Sequence, residues 1–151
     1  MSEHHASLRW ERGGTAFTYP AYSRDHQVVL GPGTRIEASS AKEFGGTPER
    51  ANPEEMLVGA ASSCHMLTLL AICAREGLVV DGYEDQAVGW LEKDERGHLS
   101  ITRIVLRPRI RFAEGSPVDA SRLASLHERA HRGCFIANSI RTAVTVEQTR
   151  S

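Results

Sequence analysis

Three cysteines, Cys64, Cys73 and Cys134, are the side chains of this 151-residue sequence best suited to nucleophilic or redox chemistry. A cysteine serves as packing, as a metal ligand or as a redox group, and its neighbours discriminate among these roles. Cys73 follows Leu70, Ala71 and Ile72, nine positions after Cys64. On one helix that spacing turns through about 900°, so the two thiols face opposite sides and Cys73 reads as inert filling. Cys64 lies between Ser63 and His65 in an otherwise apolar run, and fits a packed thiol or a nucleophile equally well. Cys134 follows Gly133, where it either suits a tight bend or opens a helical turn whose free N–H groups favour a thiolate.

A nucleophilic cysteine reacts as the thiolate, and an unperturbed thiol has a pKa of about 8.5. Cys64 stands about three turns into its helix, whereas the helix-terminus effect fades within the first turn. Burial among apolar neighbours raises a thiol pKa further. A cation brought in from elsewhere is therefore expected beside the sulfur, and arginine suits because it stays charged when buried.

The elements that position these residues follow from local pattern. Residues 8 to about 38 read as strands, with Thr15–Tyr22 rich in aromatic and β-branched types and Gly13-Gly14 and Gly31-Pro32-Gly33 as turns. Ala38–Arg50 reads as a polar loop. Asn52, Pro53 and Glu55 form the start of a helix with a capping box, which runs to about Glu76 and stops at Gly77. Two strands are expected at about Tyr83–Lys93 and Leu99–Phe112, joined by a turn over Asp94–Gly97. In the second, Ile104, Leu106, Ile110 and Phe112 alternate with Arg103, Arg107, Arg109 and Arg111. Asp119 or Ser121 opens a second helix with Leu123, Leu126 and Ala130 inward, ending near Gly133. Cys134–Ile140 is a short helix or turn, and Thr142–Glu147 a last strand. The chain reads as one α+β domain over residues 1–151, with 1–7 as a flexible N-terminus.

Composition narrows the function. A net charge of −1 and 6% aromatic residues argue against a nucleic-acid surface. Met56–Ala74 carries no Asp, Glu, Lys or Arg, but Ser62-Ser-Cys-His65 at its centre fits a core helix better than a membrane span. The N-terminus lacks an apolar leader, so a reducing, cytoplasmic setting is expected.

The run Asn52-Pro-Glu-Glu-Met-Leu-Val-Gly-Ala-Ala-Ser-Ser-Cys-His resembles the cysteine helix of the OsmC/Ohr family of osmotically induced and organic-hydroperoxide-resistance proteins. Gly133-Cys-Phe-Ile-Ala-Asn-Ser is similar to its second-cysteine motif, although the family usually has proline where this chain has Phe135. The resemblance covers roughly residues 8–148. It implies antiparallel sheets around a long central helix in an intertwined homodimer, and a peroxidase that needs no cofactor. By that likeness Cys64 becomes a sulfenic acid, Cys134 condenses with it to a disulfide, and an external dithiol, carried by a lipoyl protein, resets the pair. Glu54 matches the acidic residue that holds an arginine beside the sulfur; Arg24 is the choice for that arginine, with Arg35 and Arg50 as alternatives. Because that arginine would have to reach both Glu54 and Cys64, about 15 Å apart on a straight helix, a break or kink between Val58 and Ser62 is expected. Leu57, Met66, Leu67 and Phe135 would supply an apolar lining for organic hydroperoxides.

Two other readings compete. His127 and His131 are four apart, Cys134 follows, and with His65 beside Cys64 they could form a zinc site; the simpler reading of the two histidines is an exposed helix face. A protein of the same fold that binds a small molecule or zinc without peroxidase activity is the alternative function.

Overall fold

A computed structural model describes residues 1–147; the last four positions of the expected domain lie outside it. The chain forms two compact units, Met1–Met56 and Leu57–Ser151.

In the first unit, β1 (Ala6–Arg9), β2 (His26–Leu30) and β3 (Thr34–Ala38) make an antiparallel sheet in that order. The expected strand over Thr15–Tyr22 is instead a loop. Ala21 and Tyr22 both turn back onto the Thr18 carbonyl, and Pro20 has no N–H for a ladder. Its aromatic side chains meet one another: Phe17 and Tyr22 ring centres are 5.5 Å apart, and Trp10 is 6.0 Å from Phe17. A short turn of 3₁₀ helix, Lys42–Phe44, interrupts the polar loop.

The helix start is as expected. Glu55 N–H donates to Asn52 Oδ1 at 2.8 Å and Asn52 N–H to Glu55 Oε2 at 3.2 Å, the two halves of a capping box. From there α1 runs unbroken over Pro53–Arg75, and Gly77 takes the left-handed conformation just past its end (φ 71°). The break expected near Gly59 is absent, because a single glycine weakens a helix without interrupting its hydrogen-bond ladder.

Within the second unit, Ala61, His65, Leu69 and Cys73 recur every fourth residue and form the buried face of α1. Each of the two long strands expected here is divided. The first becomes β4 (Val80–Glu84) and β5 (Val88–Lys93), the second β6 (Leu99–Leu106) and β7 (Arg109–Phe112). Pro108 stands at one division. At the other, Asp85 accepts the Arg107 N–H at 2.6 Å, a bond that strand pairing would otherwise use. The pieces then join different sheets, β4 with β7 and β5 with β6, and β8 (Ala143–Val146) completes the second sheet parallel to β6.

Helix α2 (Ala120–Gly133) opens on Asp119, whose carboxylate accepts the Arg122 N–H at 2.7 Å, and the single turn α3 (Phe135–Ser139) follows. One core cluster packs Leu69 and Cys73 against Leu126 and Ala130; another packs Ala61 against Ile104, Leu106 and Val144. Three of the four arginines of the row meet acids, with Arg103 on Glu92, Arg107 on Glu147 and Arg111 on Asp81.

Candidate active site

Cys64 and Cys134 share one site in the second unit. Cys64 lies halfway along α1, partly exposed, while Cys134 is buried at the corner where α2 ends and α3 begins. The corner is tight: a methyl group on Gly133 would stand 3.0 Å from the Thr68 Cγ2. Cys134 caps α3 with its own sulfur, which accepts the Ala137 N–H at 3.4 Å.

Burial works against ionising Cys64. The Ile136 N–H, the Cys134 thiol, the Phe135 N–H and the Thr68 hydroxyl outweigh it, and together they bring the thiol below its ordinary pKa. Thr68 contributes with a divided allegiance, because its proton is directed at the Cys64 carbonyl, 2.8 Å away. Burial acts on Cys134 as well, and the negative charge of Cys64 adds to it, so that thiol is pushed up. The expectation that only a cation could favour the Cys64 thiolate is therefore too strict, since neutral donors at the α2–α3 corner act in the same direction. Cys73 is pushed up, by burial first and Glu76 next, and lies in the core as inert filling should.

Cys64 lines a groove of about 780 Å³ together with Ala60, Leu67, Ala71, Ile72, Phe135 and Ile136, and Arg75, Arg129 and Arg132 line it as well. Leu67 and Phe135 were expected in such a lining. Met66 does not line it, and Leu57 packs against the Ala61 core cluster instead.

The remaining candidates belong to the first unit. Glu54 lies in the opening turn of α1, where its Oε2 is buried without a hydrogen-bond partner. Arg24 donates to the Tyr22 carbonyl at 2.6 Å and the Tyr19 carbonyl at 2.5 Å, with its guanidinium 4.0 Å from the Tyr22 ring centre. Among the described residues it is matched to no carboxylate. Arg50, by contrast, is neutralised by Asp25 at 3.2 Å and Glu37 at 2.6 Å.

The histidines differ from their simpler reading. His127 is buried, and its Nδ1 lies 3.0 Å from Nε2 of the buried His65. Spacing held a signal for this: His127 is four after Leu123 and three before Ala130, on the inner stripe of α2. Two rings bonded to each other are not poised as ligands, and no three His, Cys, Asp or Glu among the described residues are arranged to hold a metal ion. Thr68, four residues beyond Cys64, and the two N–H groups of α3 escaped the sequence reading. Only the first had a visible spacing.

An α+β fold whose long helix carries one of two neighbouring thiols defines the class of this protein. The family model for OsmC-like proteins matches residues 46–149, and the chain belongs to that family. It is 27% identical over 148 residues to the uncharacterized protein YmaD of Bacillus subtilis (strain 168), covering 97% of this chain and 93% of the relative. Its structure is similar to that of VCA0330, an OsmC-like protein of unknown function from Vibrio cholerae O1 biovar eltor str. N16961. The identity is 41% and the TM-score 0.94, over 99% of this chain and 100% of that one. The fold is shared with the organic hydroperoxide resistance protein OhrB of Bacillus subtilis at 18% identity and a TM-score of 0.70, over 98% of each chain.

Proposed function

We propose that this protein is a thiol peroxidase that reduces organic hydroperoxides. The observation that carries the reading is a partly exposed Cys64 lining an apolar groove beside a second, buried thiol, Cys134, with ionisation favoured at the first and disfavoured at the second. The Cys64 thiolate attacks the peroxide; the O–O bond breaks, sulfur takes OH to become a sulfenic acid, and the alkoxide leaves and is protonated. The Cys134 thiol then attacks that sulfur, forming the S–S bond and releasing water. An external dithiol, such as that of a lipoyl protein, reduces the disulfide by two exchanges.

Arg24 and Glu54 complete the site in this reading, with the arginine supplying further positive charge to the thiolate. Arg24 is preferred over Arg50 because its charge is not already matched by acids, and the unpartnered Glu54 Oε2 calls for a donor. The working form is an intertwined homodimer in the cytoplasm, acting without a cofactor, nucleic acid or membrane.

The test is peroxide consumption driven by a dithiol. Cumene hydroperoxide should be consumed faster than hydrogen peroxide, and Cys64→Ser should abolish turnover. Equal rates for the two peroxides would remove the substrate preference, and turnover by the Cys64→Ser variant would remove the mechanism.

A further inference from the structure

One buried cluster takes no part in that chemistry. His65 and His127 are 1% and 4% exposed, their ring planes lie within 12° of parallel with centroids 5.3 Å apart, and His65 Nε2 is 3.0 Å from His127 Nδ1. Two ring nitrogens this close share a proton, so one imidazole donates to the other. The tautomer is assigned from the surrounding partners. His65 Nδ1 is buried and has no hydrogen-bond partner. Were His127 the donor, His65 would carry its proton on Nδ1, as a buried N–H with no acceptor. With His65 donating through Nε2, only a lone pair is orphaned, which native structures tolerate better.

Burial, then His127 and His131, hold His65 down to about 4 against the opposing pull of Asp85. His127 is lowered by burial, again against Asp85. The ionisable groups facing the pair are thus His131 from α2 and Asp85 from the β4–β5 connection. The Asp85 carboxylate is already bonded to the Ser62 hydroxyl and the Arg107 N–H. The pair is neutral around neutral pH.

Its place in the chain is informative. His65 directly follows Cys64 on α1, and His127 precedes Cys134 by about two turns on α2. We propose that the His65–His127 hydrogen bond is a positioning clamp that fixes α1 against α2 and so holds the Cys134 sulfur in reach of Cys64. An N–H···N bond is directional and specifies one register, whereas apolar contacts of similar volume tolerate sliding. The clamp's distinguishing effect falls on the second chemical step, disulfide closure, because any change it makes to Cys64 ionisation alters alkylation of that thiol as well. The idea rests on the two-thiol reading above but is separable from it by experiment.

Diamide separates them, because this two-electron oxidant closes a dithiol without peroxide. Cys64 sulfur adds to its N=N bond, and Cys134 displaces the resulting hydrazide to leave the disulfide. The measured quantity is the rate of Cys64–Cys134 closure by diamide, divided by the rate of single-site alkylation at Cys64 in the same variant. His127→Leu removes the acceptor and should lower this ratio at least about tenfold, the scale of effect that misplaced reacting groups produce. His127→Asn sets an amide oxygen near the lost nitrogen and should restore most of it. An unchanged ratio in His127→Leu, or an equal loss in His127→Asn, overturns the clamp, whether or not the protein reduces peroxides. Should His127→Leu fail to fold, wild-type protein still decides. Nitrogen-15 NMR should show scalar coupling between His65 Nε2 and His127 Nδ1 across the bond, and its absence at neutral pH overturns the proposal. Normal closure by diamide with no peroxide consumption would sink the peroxidase reading and leave the clamp standing.

Discussion

Cys64 and Cys134 shift each other's ionisation in opposite directions: the neighbouring Cys134 thiol favours the Cys64 thiolate, while the Cys64 charge raises Cys134. That asymmetry divides the labour. In the proposed mechanism the sulfur lining the groove attacks, and the buried sulfur keeps its proton until its neighbour has been oxidised. A Cys134→Ser variant should therefore reduce one equivalent of organic peroxide per chain in a burst and then stall as the sulfenate. Continued turnover with a dithiol unable to reduce a sulfenate directly would show that Cys134 has no resolving role.

The main chain of α3 contributes donors to the same sulfur, and Phe135 offers a controlled way to remove one. Proline at this position has no N–H, while alanine retains it. Alkylation of Cys64 at neutral pH should slow about tenfold in Phe135→Pro, since a hydrogen bond to a charged group contributes about 1.5–3 kcal/mol. Phe135→Ala should stay near wild type. Equal rates in the two variants would mean that the Phe135 N–H does not act on the thiolate.

The neutral histidine pair makes stability depend on pH. Both imidazoles have folded-state pKa values below the unfolded 6.5, with His65 near 4. Below pH 6.5 the unfolded chain binds protons that the folded protein refuses. Their contribution is thus complete above that pH and is lost as pH falls from 6.5 toward 4. For His65 the slope is about 1.4 kcal/mol per pH unit, or about 2 kcal/mol between pH 7 and 5, and His127 acts in the same direction. Urea unfolding at those two pH values measures it. Stability that stays flat on acidification would mean that folding leaves the imidazoles unshifted, and a rise would mean that they are already charged at neutral pH; either result contradicts the neutral pair.

Packing of α1 on β5 is close at Gly89, where an added Cβ would lie 2.5 Å from Val58 Cγ2. Valine is stiff about its side-chain torsion and cannot swing aside. Gly89→Ala should cost about 1–3 kcal/mol, and Val58→Ala in the same chain should recover part of the loss. Calorimetry on the single and double variants checks this; a fully additive pair would deny the contact.

The long helix and its limits were legible because the signals are local: Asn52 and Glu55 cap it and Gly77 ends it. The strands were less so. Alternation continues through residues 107–108 and no glycine or proline marks 85–87, so two pairs of short strands looked like two long ones until their partners in different sheets were known. The aromatic run at Thr15–Tyr22 carries strand-like residue types but satisfies them by clustering in a loop. Half of the thiol site could be read from residue types and spacing. The donors at Phe135 and Ile136 could not, because a main-chain N–H leaves no mark on a sequence. His127 was obscured by the charged residues beside it, although its spacing from Leu123 and Ala130 placed it on the inward stripe.

The most direct test of the account is mass mapping of all three thiols after one equivalent of an organic hydroperoxide. A disulfide joining Cys64 to Cys134 is expected, with Cys73 recovered as the free thiol. An unmodified Cys64, or oxidation that begins at Cys73, would contradict it.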